Sequence, residues 1–535
     1  MKNEYHIYGP PGTGKTTALA RNMERASEKR GFDAVLCCSH TKAAAAEIAG
    51  REVHVNPDNV GTLHALCYRK LNRPDIAETK FSEWNALHPG YAIKGTGHNI
   101  DDLESGRATE DGNSLLQEIS RLRNLMVPKE RWRFRLQRFH RKWEEFKLDC
   151  GLLDFTDMIE YSLETPPPDG IEVVFVDEAQ DFSALQFELV RGWLKHIDQA
   201  VFVGDDDQAI FGFSGADPEN LISRPIPDEN RRVLKKSYRV PKNVHRVATT
   251  FIQRCSRRLD KEYLPRDGDD GEFKRSSDGD WKNPAAIVDS VEQEISDCET
   301  KTSKIMVLAS CGYMLAPLLR ELRERGIAYH NPYRQAHGGW NPLKAGEKST
   351  VNRLAAFLKK SNHNERDPGW SWYDLHLWLD LIRTRGVVKS GMRKVVEEKA
   401  TNPGKHVELG YEEWDAVFEG AALGHAIQQN PSWLHANATA RKMNSLTLPL
   451  KILARGGEDL LNRSPQVIVG TIHSVKGGEA DSVMLFPDLS LQAGENWIRK
   501  GPARDSVLRV FYVGMTRARH RLTMLQPADG GIFIE

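Results

Sequence analysis

The chain reads Gly9-Pro10-Pro11-Gly12-Thr13-Gly14-Lys15-Thr16 near its start, and this stretch decides the fold. The run Tyr5-His6-Ile7-Tyr8 comes directly before it and predicts a short strand, and the residues from Thr17 to Met23 predict a helix. A strand, a glycine loop of the pattern GxxxxGK(S/T) and a helix together form the context of a phosphate-binding P-loop. The sequence therefore predicts a nucleotide site over residues 9–17.

The residue types of this loop fit the chemistry of a triphosphate. Glycines let backbone N–H groups curl around phosphate oxygens, and the helix N-terminus adds the positive end of its dipole. We expect Lys15 to reach the β and γ phosphates and Thr16 to bind Mg²⁺. The alternative is a glycine-rich turn that matches by chance, and the flanking strand and helix disfavour it. The chain has no NKxD-type guanine motif, which weakens a GTPase interpretation.

Two further strand-like runs end in polar residues that suit ATP hydrolysis. Residues 171–176 are rich in β-branched side chains and lead into Asp177 and Glu178. We expect Asp177 to hold Mg²⁺ through water, and Glu178 to orient and deprotonate the attacking water. Residues 200–203 form another apolar run, followed by a loop that contains Gln208. Because strand ends converge on the nucleotide in doubly wound folds, Gln208 is placed to sense the γ phosphate.

Composition limits the class of protein but does not decide its partner. The 535 residues correspond to about three or four domains, and 74 basic residues match 74 acidic ones. A net charge of zero neither supports nor excludes nucleic acid, because a binding surface needs only local charge. The mean hydropathy is −0.53, and no apolar run approaches the roughly 18 residues of a membrane span, so we expect a cytoplasmic protein without membrane contact. The seven cysteines form no CxxC cluster, and we interpret them as reduced thiols rather than disulfides or metal ligands.

An ordered series of segments accompanies the nucleotide motifs. After the P-loop come SHTKAAAAE (39–47), GTLHA (61–65), DFTDM (154–158), DEAQDFSALQ (177–186), GDDDQAIFGFSGA (204–216), LKKSYR (234–239), VGTIHSVKGGE (469–479) and FYVGMTRAR (511–519). This series resembles the motifs of superfamily 1A helicases of the UvrD, Rep and PcrA type, in the family's order. Chance agreement over so many segments is negligible.

The resemblance implies an α/β fold with two RecA-like cores, parallel sheets flanked by helices, each carrying a mainly helical insertion. The nucleotide would lie between the cores, with ATP and Mg²⁺ as cofactors. The second core would supply Arg239 and Arg517 as arginine fingers, which suits a γ phosphate that develops charge as the cores close. Tyr238 is similar to the family's adenine-stacking aromatic residue, and Glu479 to its ribose contact.

The resemblance also implies a track for a single strand of DNA. Phe213 stands where family members usually carry a Trp that stacks on a base, and an aromatic face can do this without reading sequence. The alternative for Phe213 is an ordinary core position. The residues that the resemblance places on the track are Thr41, Thr62, His64, Phe211, Phe213, Thr471 and His473.

The spacing of the motifs predicts how the domains are arranged. The first core, 1A, would comprise residues 1–88 and 150–229, interrupted by a helical insert 1B at 89–149. The second core, 2A, would comprise 230–333 and 463–535, interrupted by an insert 2B at 334–462. Six tryptophans in 2B offer enough aromatic area for a core of its own.

Residues 131–143 in insert 1B interleave basic and aromatic side chains. In one interpretation, the cations neutralise phosphates while Trp and Phe stack on bases. In the other, an amphipathic helix packs its aromatic residues on the core and leaves a solvated basic face. The sequence alone leaves both open.

Three functions follow from these motifs. The leading one is an ATP-dependent DNA helicase that moves 3′→5′ by resemblance, acts on single strands and duplex junctions in repair, recombination or replication, and is a monomer or weak dimer. The first alternative is a translocase, or the motor of a nuclease or defence complex, without unwinding of its own. The second is an ATP-switched DNA-binding scaffold, which the full set of catalytic residues disfavours.

Overall fold

The computed structural model of the chain describes residues 3–40, 48, 50, 51, 53–94, 111–277, 279–297, 303–334, 339–343, 346 and 348–534. Two six-stranded sheets flanked by helices carry the fold in these residues. The predicted α/β class with two RecA-like cores is confirmed. No helix in the described part of the chain is long and apolar enough to cross a membrane.

The first sheet has the strand order β3-β2-β4-β5-β1-β6, and each pair of neighbouring strands is parallel. Most of its strands are buried on both faces, as expected for a parallel sheet covered by helices. The carboxyl ends of β1, β4 and β5 lie at one edge, which brings the candidate site residues together. The strands are β1 (Glu4–Tyr8), β2 (Val35–Ser39), β3 (Val60–Thr62), β4 (Val173–Asp177), β5 (Gln199–Gly204) and β6 (Arg231–Val233).

The edge strand β6 extends the first sheet beyond its predicted end. Its residues pair with β1, with Ile7 opposite Arg232. Residues 231–233 lie at the start of the predicted second core, and an exposed three-residue strand leaves little signal in a sequence. The domain boundaries stay predictions.

The second sheet has the order β7-β12-β11-β8-β10-β9. The pairings of β7 with β12, β12 with β11, and β10 with β9 are parallel. Its strands are β7 (Glu272–Arg275), β8 (Ile305–Ala309), β9 (Tyr329–His330), β10 (Val467–Thr471), β11 (Ala480–Leu485) and β12 (Ala518–Met524).

The chain divides into two compact units. The first comprises residues 1–277, 308–313 and 471–535, and the second comprises residues 278–307 and 314–470. Helices of the first unit are α1 (Lys15–Arg30), α2 (Leu63–Lys70), α3 (Phe81–Leu87), α4 (Gly112–Asn124), α5 (Phe134–Cys150), α6 (Phe155–Ser162), α7 (Ala184–Trp193), α8 (Glu219–Ile222), α9 (Lys242–Ile252), and, near the carboxyl end, α19 (Leu491–Ile498) and α20 (Pro502–Met515). Helices of the second unit are α10 (Ala285–Asp297), α11 (Ala316–Arg325), α12 (Thr350–Leu358), α13 (Trp372–Leu379), α14 (Met392–Lys399), α15 (Tyr411–Val417), α16 (Gly420–Ile427), α17 (Pro431–Ala436) and α18 (Ala440–Asn462).

The helices α12 to α18 enclose an aromatic core within the second unit. Trp370 and Trp378 are fully buried, with their ring centroids 5.0 Å apart. Phe418 stacks on Trp378 at 5.6 Å, and the indole of Trp370 donates a hydrogen bond to the Phe357 carbonyl. Three of the six tryptophans, Trp370, Trp378 and Trp414, are therefore packed in one core.

Helix α5 resolves the two interpretations of residues 131–143. Phe139 and Trp143 are fully buried and meet the buried Trp84 edge to face, at 5.6 and 5.1 Å. Arg138 lies on the opposite, exposed face, as does Phe134, which is 80% exposed. The amphipathic interpretation is therefore the one that fits: most of the aromatic residues are core, and the basic face is solvated.

A buried ionic cluster joins α4, α5 and α6. Asp154 accepts hydrogen bonds from Arg123 at 2.8 Å, from Lys147 at 2.9 Å and from the Trp143 indole at 3.0 Å. Asp157 contacts the same two cations at 2.6 and 2.5 Å. Burial opposes ionisation of Asp154, but Arg123 and Lys147 outweigh it and hold the pKa of Asp154 well below its usual value. The DFTD segment thus fastens the helical insert to the first core.

Removing the charge of Asp154 is expected to destabilise this unit strongly. Asp154→Asn leaves Arg123 and Lys147 buried beside one fewer carboxylate, and such broken pairs cost about 3–5 kcal/mol. We expect a clear drop in the urea midpoint of unfolding at neutral pH. Asp149→Asn at the exposed end of α5 is the matched control and should leave the midpoint unchanged. Equal midpoints for the two variants would contradict a structural role for the cluster.

Candidate active site

The P-loop leaves β1 and turns tightly into α1. Its backbone is tied to the end of β5, because Gly9 N donates to the Gly204 carbonyl at 3.0 Å. Inside the loop, the Thr13 hydroxyl donates to the Pro10 carbonyl at 2.8 Å. Gly14 has a φ of +78° and caps α1, whose first residue is Lys15. The loop therefore aims the N-terminus of a 16-residue helix at the space above it.

The segment that contains Ser237 and Tyr238 packs directly on this loop. The Ser237 hydroxyl donates to the Pro11 carbonyl at 3.0 Å, and Tyr238 N donates to the Gly12 carbonyl at 2.8 Å. Gly12 has a φ of +73°, and a Cβ at this position would lie 2.5 Å from the Cβ of Arg239. Only glycine fits here, for reasons of both conformation and space. Tyr238 remains 75% exposed at the rim.

A cavity of about 930 Å³ opens above the loop, and its wall is strongly cationic. Among the described residues of this wall, two acids, Glu178 and Glu479, face seven cations, as suits a polyanionic ligand. The cations are Lys15, Arg21, Arg51, Arg232, Arg239, Lys476 and Arg517. The predicted site residues that the cavity brings together are Gly12, Thr13, Gly14, Lys15, Thr16, Thr17, Glu178, Gln208, Tyr238, Arg239, Glu479 and Arg517.

Four predicted nucleotide-site residues lie behind this wall rather than on it. Gly9, Pro10 and Pro11 form the back of the loop, where their carbonyls accept hydrogen bonds. Asp177 ends β4 and is 2% exposed, directly before Glu178. The Asp177 carboxylate and the Thr16 hydroxyl are oxygen donors of the type that Mg²⁺ prefers, so this donor set fits the ion.

Glu178 has a strained backbone and an ionised side chain. Its φ is +50°, in the left-handed region that non-glycine residues rarely adopt, and such strain is often found at functional sites. Its carboxylate accepts a hydrogen bond from the Gln180 amide. Burial raises the pKa of Glu178, but Lys15 and Lys476 outweigh that effect and leave the pKa below its usual value. The carboxylate is therefore available as a proton acceptor at neutral pH.

Gln208 and Arg517 contact each other at the cavity wall. Arg517 is 1% exposed, and its Nη2 donates to Gln208 Oε1 at 3.2 Å. The rest of the guanidinium donates to the carbonyls of Val513 at 3.0 Å and Gly478 at 3.1 Å. Arg517 is thus held in one orientation by groups from three segments of the chain.

Arg239 and Glu479 are paired with each other. Arg239 Nε donates to Glu479 Oε2 at 2.6 Å, and Arg519 donates to the other oxygen at 2.9 Å. The resemblance predicts a ribose contact for Glu479 and a phosphate contact for Arg239, and the pair between them is an additional contact. Both residues line the cavity, so each prediction stays compatible with its position.

Lys476 is a site residue that the sequence analysis missed. Its ammonium pairs with Asp181, donates to the Gln208 carbonyl at 2.8 Å and lies 3.9 Å from Glu178. It also lies 5.0 Å from the ring centre of Phe211. The available sequence signal is the position of Lys476 within the segment VGTIHSVKGGE (469–479). One side chain therefore touches both the hydrolytic residues and an aromatic residue of the predicted DNA track.

Three predicted track residues form an aromatic cluster next to the cavity. Phe211 and Phe213 have ring centroids 5.8 Å apart, and each lies about 6 Å from the ring of His473. His40, which was not predicted, stacks on Phe211 at 5.2 Å. Burial lowers the pKa of His473 to about 4, so this ring is neutral at physiological pH. Phe213 is only half-buried, so its ring is the most accessible part of the cluster.

The remaining track residues occupy different positions. Thr62 caps α2 by accepting a hydrogen bond from Ala65 N at 3.2 Å, and His64 meets Phe155 edge to face at 6.2 Å. Thr471 is 1% exposed at the end of β10. Thr41 lies outside the described residues.

The chain is similar to known ATP-dependent DNA helicases. The UvrD/REP helicase N-terminal domain family matches residues 1–225. ATP-dependent DNA helicase UvrD2 of Mycobacterium tuberculosis is 24% identical over 583 residues, covering 97% of this chain and 76% of the relative. ATP-dependent DNA helicase PcrA of Bacillus subtilis is 25% identical over 426 residues, covering 73% of this chain and 55% of the relative. ATP-dependent DNA helicase UvrD1 of Mycobacterium leprae is 25% identical over 396 residues, covering 66% and 50%. The chain spans about half the length of the last two relatives and about three quarters of the first.

Proposed function

We propose that this chain, a UvrD-like helicase of superfamily 1A, hydrolyses ATP to move along single-stranded DNA and to separate duplex DNA. The observation that carries the proposal is the position of Lys476. It connects the carboxylates at the end of β4 to an aromatic cluster suited to stacking on bases. A strand of DNA that displaced Phe211 or Phe213 would therefore alter the surroundings of Glu178. The direction 3′→5′ is part of the proposal by analogy with the family.

The proposed hydrolysis assigns each polar group at the cavity a step. The P-loop amides and Lys15 would bind the phosphates, and Tyr238 would stack on the base. Glu178 would orient the attacking water and take a proton from it, while Gln208 would sense the γ phosphate. Arg239 and Arg517 would stabilise charge on the γ phosphate. Mg²⁺, held through Thr16 and Asp177, would supply neutralisation of the phosphate oxygens.

Binding of ATP would have to compete with the pair between Arg239 and Glu479. A γ phosphate offers the guanidinium two oxygens in a planar arrangement, which a single carboxylate oxygen at 2.6 Å does not match. Arg519 stays on Glu479 when Arg239 turns away, so the carboxylate keeps a partner. The exchange would link nucleotide occupancy to the position of Arg239.

The test is steady-state ATP hydrolysis with and without single-stranded DNA, followed by unwinding of forked duplexes with either a 3′ or a 5′ tail. We expect strong stimulation by DNA, and unwinding of the 3′-tailed substrate only. A non-hydrolysable ATP analogue is the control and should support no unwinding. Stimulated hydrolysis without unwinding would favour a translocase, and hydrolysis indifferent to DNA would overturn the proposal.

Phe213→Ala is expected to weaken binding of single-stranded DNA by about 1–3 kcal/mol, because stacking on an aromatic side chain contributes about that much per base. Fluorescence anisotropy with an oligothymidylate measures this effect as a rise in Kd. ATP hydrolysis without DNA should stay near the wild-type rate. Tyr161→Ala removes an aromatic side chain that is 61% exposed on α6, and serves as the control. Equal Kd values for wild type and Phe213→Ala would mean that Phe213 has only a structural role.

A further inference from the structure

Three consecutive aspartates after β5 enclose a buried lysine. The carboxylates of Asp205, Asp206 and Asp207 have the mutual spacing of a cation site. The ammonium of Lys261 lies among them, at 2.9, 2.5 and 2.8 Å, and its side chain is 1% exposed. Lys261 itself therefore fills the position that a metal ion would take.

Asp205 connects this lysine to the nucleotide cavity. Its Oδ1 contacts Lys261, and its Oδ2 accepts a hydrogen bond from Gln208 Nε2 at 2.8 Å. Gln208 Oε1 then accepts from Arg517 Nη2 at 3.2 Å. The four side chains form a continuous chain from the lysine to the arginine at the cavity wall.

The chemistry of this chain allows only one orientation of the Gln208 amide. An ionised carboxylate can only accept hydrogen bonds, and a guanidinium can only donate them. The amide nitrogen must therefore face Asp205, and the amide oxygen must face Arg517. Asp205 contacts the Lys261 ammonium through Oδ1 at 2.9 Å, which leaves Oδ2 to accept the hydrogen bond from the amide.

We propose that Lys261 is a positioning residue for ATP hydrolysis, which acts through Asp205 to fix the Gln208 amide against Arg517. Among the residues that the structure describes, Lys261 is not part of the cavity wall. Arg258 pairs with Asp207 at 2.7 Å and supports the same cluster from the other side. Without Lys261, Asp205 would lose the cation that holds its Oδ1, and the three adjacent carboxylates would face a single arginine. The Asp205 side chain could then turn, and the Gln208 amide would lose its fixed acceptor.

This role rests on the proposed ATPase function, and a double-mutant cycle tests it. Lys261→Met should lower the kcat of DNA-stimulated ATP hydrolysis roughly tenfold to a hundredfold, with the KM for ATP changed less than about threefold. In a Gln208→Ala background, the same substitution should change kcat less than about threefold, because its target is already absent. Lys235→Met removes an exposed lysine paired with Glu262 and is the control.

If Lys261→Met does not fold, Asp205→Asn tests the same role, because it also changes the group that orients the Gln208 amide. Asparagine keeps the size of the side chain but can donate as well as accept, so it no longer fixes the amide. Thermal melting identifies the folded variants. If Lys261→Met lowers kcat by the same factor in the Gln208→Ala background as in the wild type, the proposed role of Lys261 is wrong. A raised KM at unchanged kcat would also overturn it. Wild-type protein without ATP hydrolysis would instead refute the proposed function, so the two failures are distinguishable.

Discussion

Glu178→Gln is expected to lower the kcat of DNA-stimulated ATP hydrolysis roughly 10³-fold, within the range that a lost general base costs. The substitution keeps the size of the side chain and removes its ability to take a proton from water. The wild-type carboxylate is ionised, because Lys15 and Lys476 outweigh the cost of its burial and keep its pKa low. Glu178→Gln therefore changes the chemistry of this side chain with little change in its shape.

Binding should survive this substitution. The P-loop, Tyr238 and the cationic wall are untouched, so the Kd for a fluorescent ATP analogue and the Kd for single-stranded DNA should each stay within about threefold of wild type. Phosphate release under saturating DNA measures kcat. Glu188→Gln on the exposed face of α7 is the control and should have wild-type activity. A Glu178→Gln variant with more than about a tenth of the wild-type rate would mean that another group activates the water.

Arg517→Lys is the second large effect, with an expected loss in kcat of about 10³-fold, comparable to the loss of an arginine finger. Lysine keeps the charge but cannot reproduce three fixed contacts, to Gln208, Val513 and Gly478. A buried ammonium on a flexible stem would also leave carbonyls without a donor. The charge would then be poorly placed for a γ phosphate in the transition state.

Arg519→Lys is the matched control for this variant. Arg519 is two residues away, its side chain is 46% exposed, and it contacts Glu479 instead of Gln208. We expect its kcat within about threefold of wild type, since an exposed ion pair contributes little. For Arg517→Lys the KM for ATP should stay nearly constant, because the lost interaction belongs to the transition state. A rise in KM with unchanged kcat would reassign Arg517 to ground-state binding.

Most of what the sequence determined depends on residues that are close together in the chain. The P-loop is eight consecutive residues between a strand and a helix, and Asp177 and Glu178 directly follow an apolar run. Such features need no knowledge of distant residues, because the strand fixes where the next side chains lie. The α/β class, the phosphate loop and the grouping of Lys15, Gln208 and Arg517 at one cavity follow from this logic and from the order of the motifs.

Contacts between distant parts of the chain were decided only by the tertiary structure. Lys261 is 53 residues from Gln208 in number and carries no motif, so its place among three aspartates has no local signal. Strand β6 also lacks a local signal, because its pairing with β1 depends on the exposed edge of the sheet. In residues 131–143, basic and aromatic side chains alternate, so the sequence allows the aromatic residues either to stack on bases or to pack in the core. The contact between Trp143 and the buried Trp84 shows that this ring is part of the core. Pairing and burial are properties of the folded chain, because both depend on which partners the rest of the sequence brings within a few ångströms.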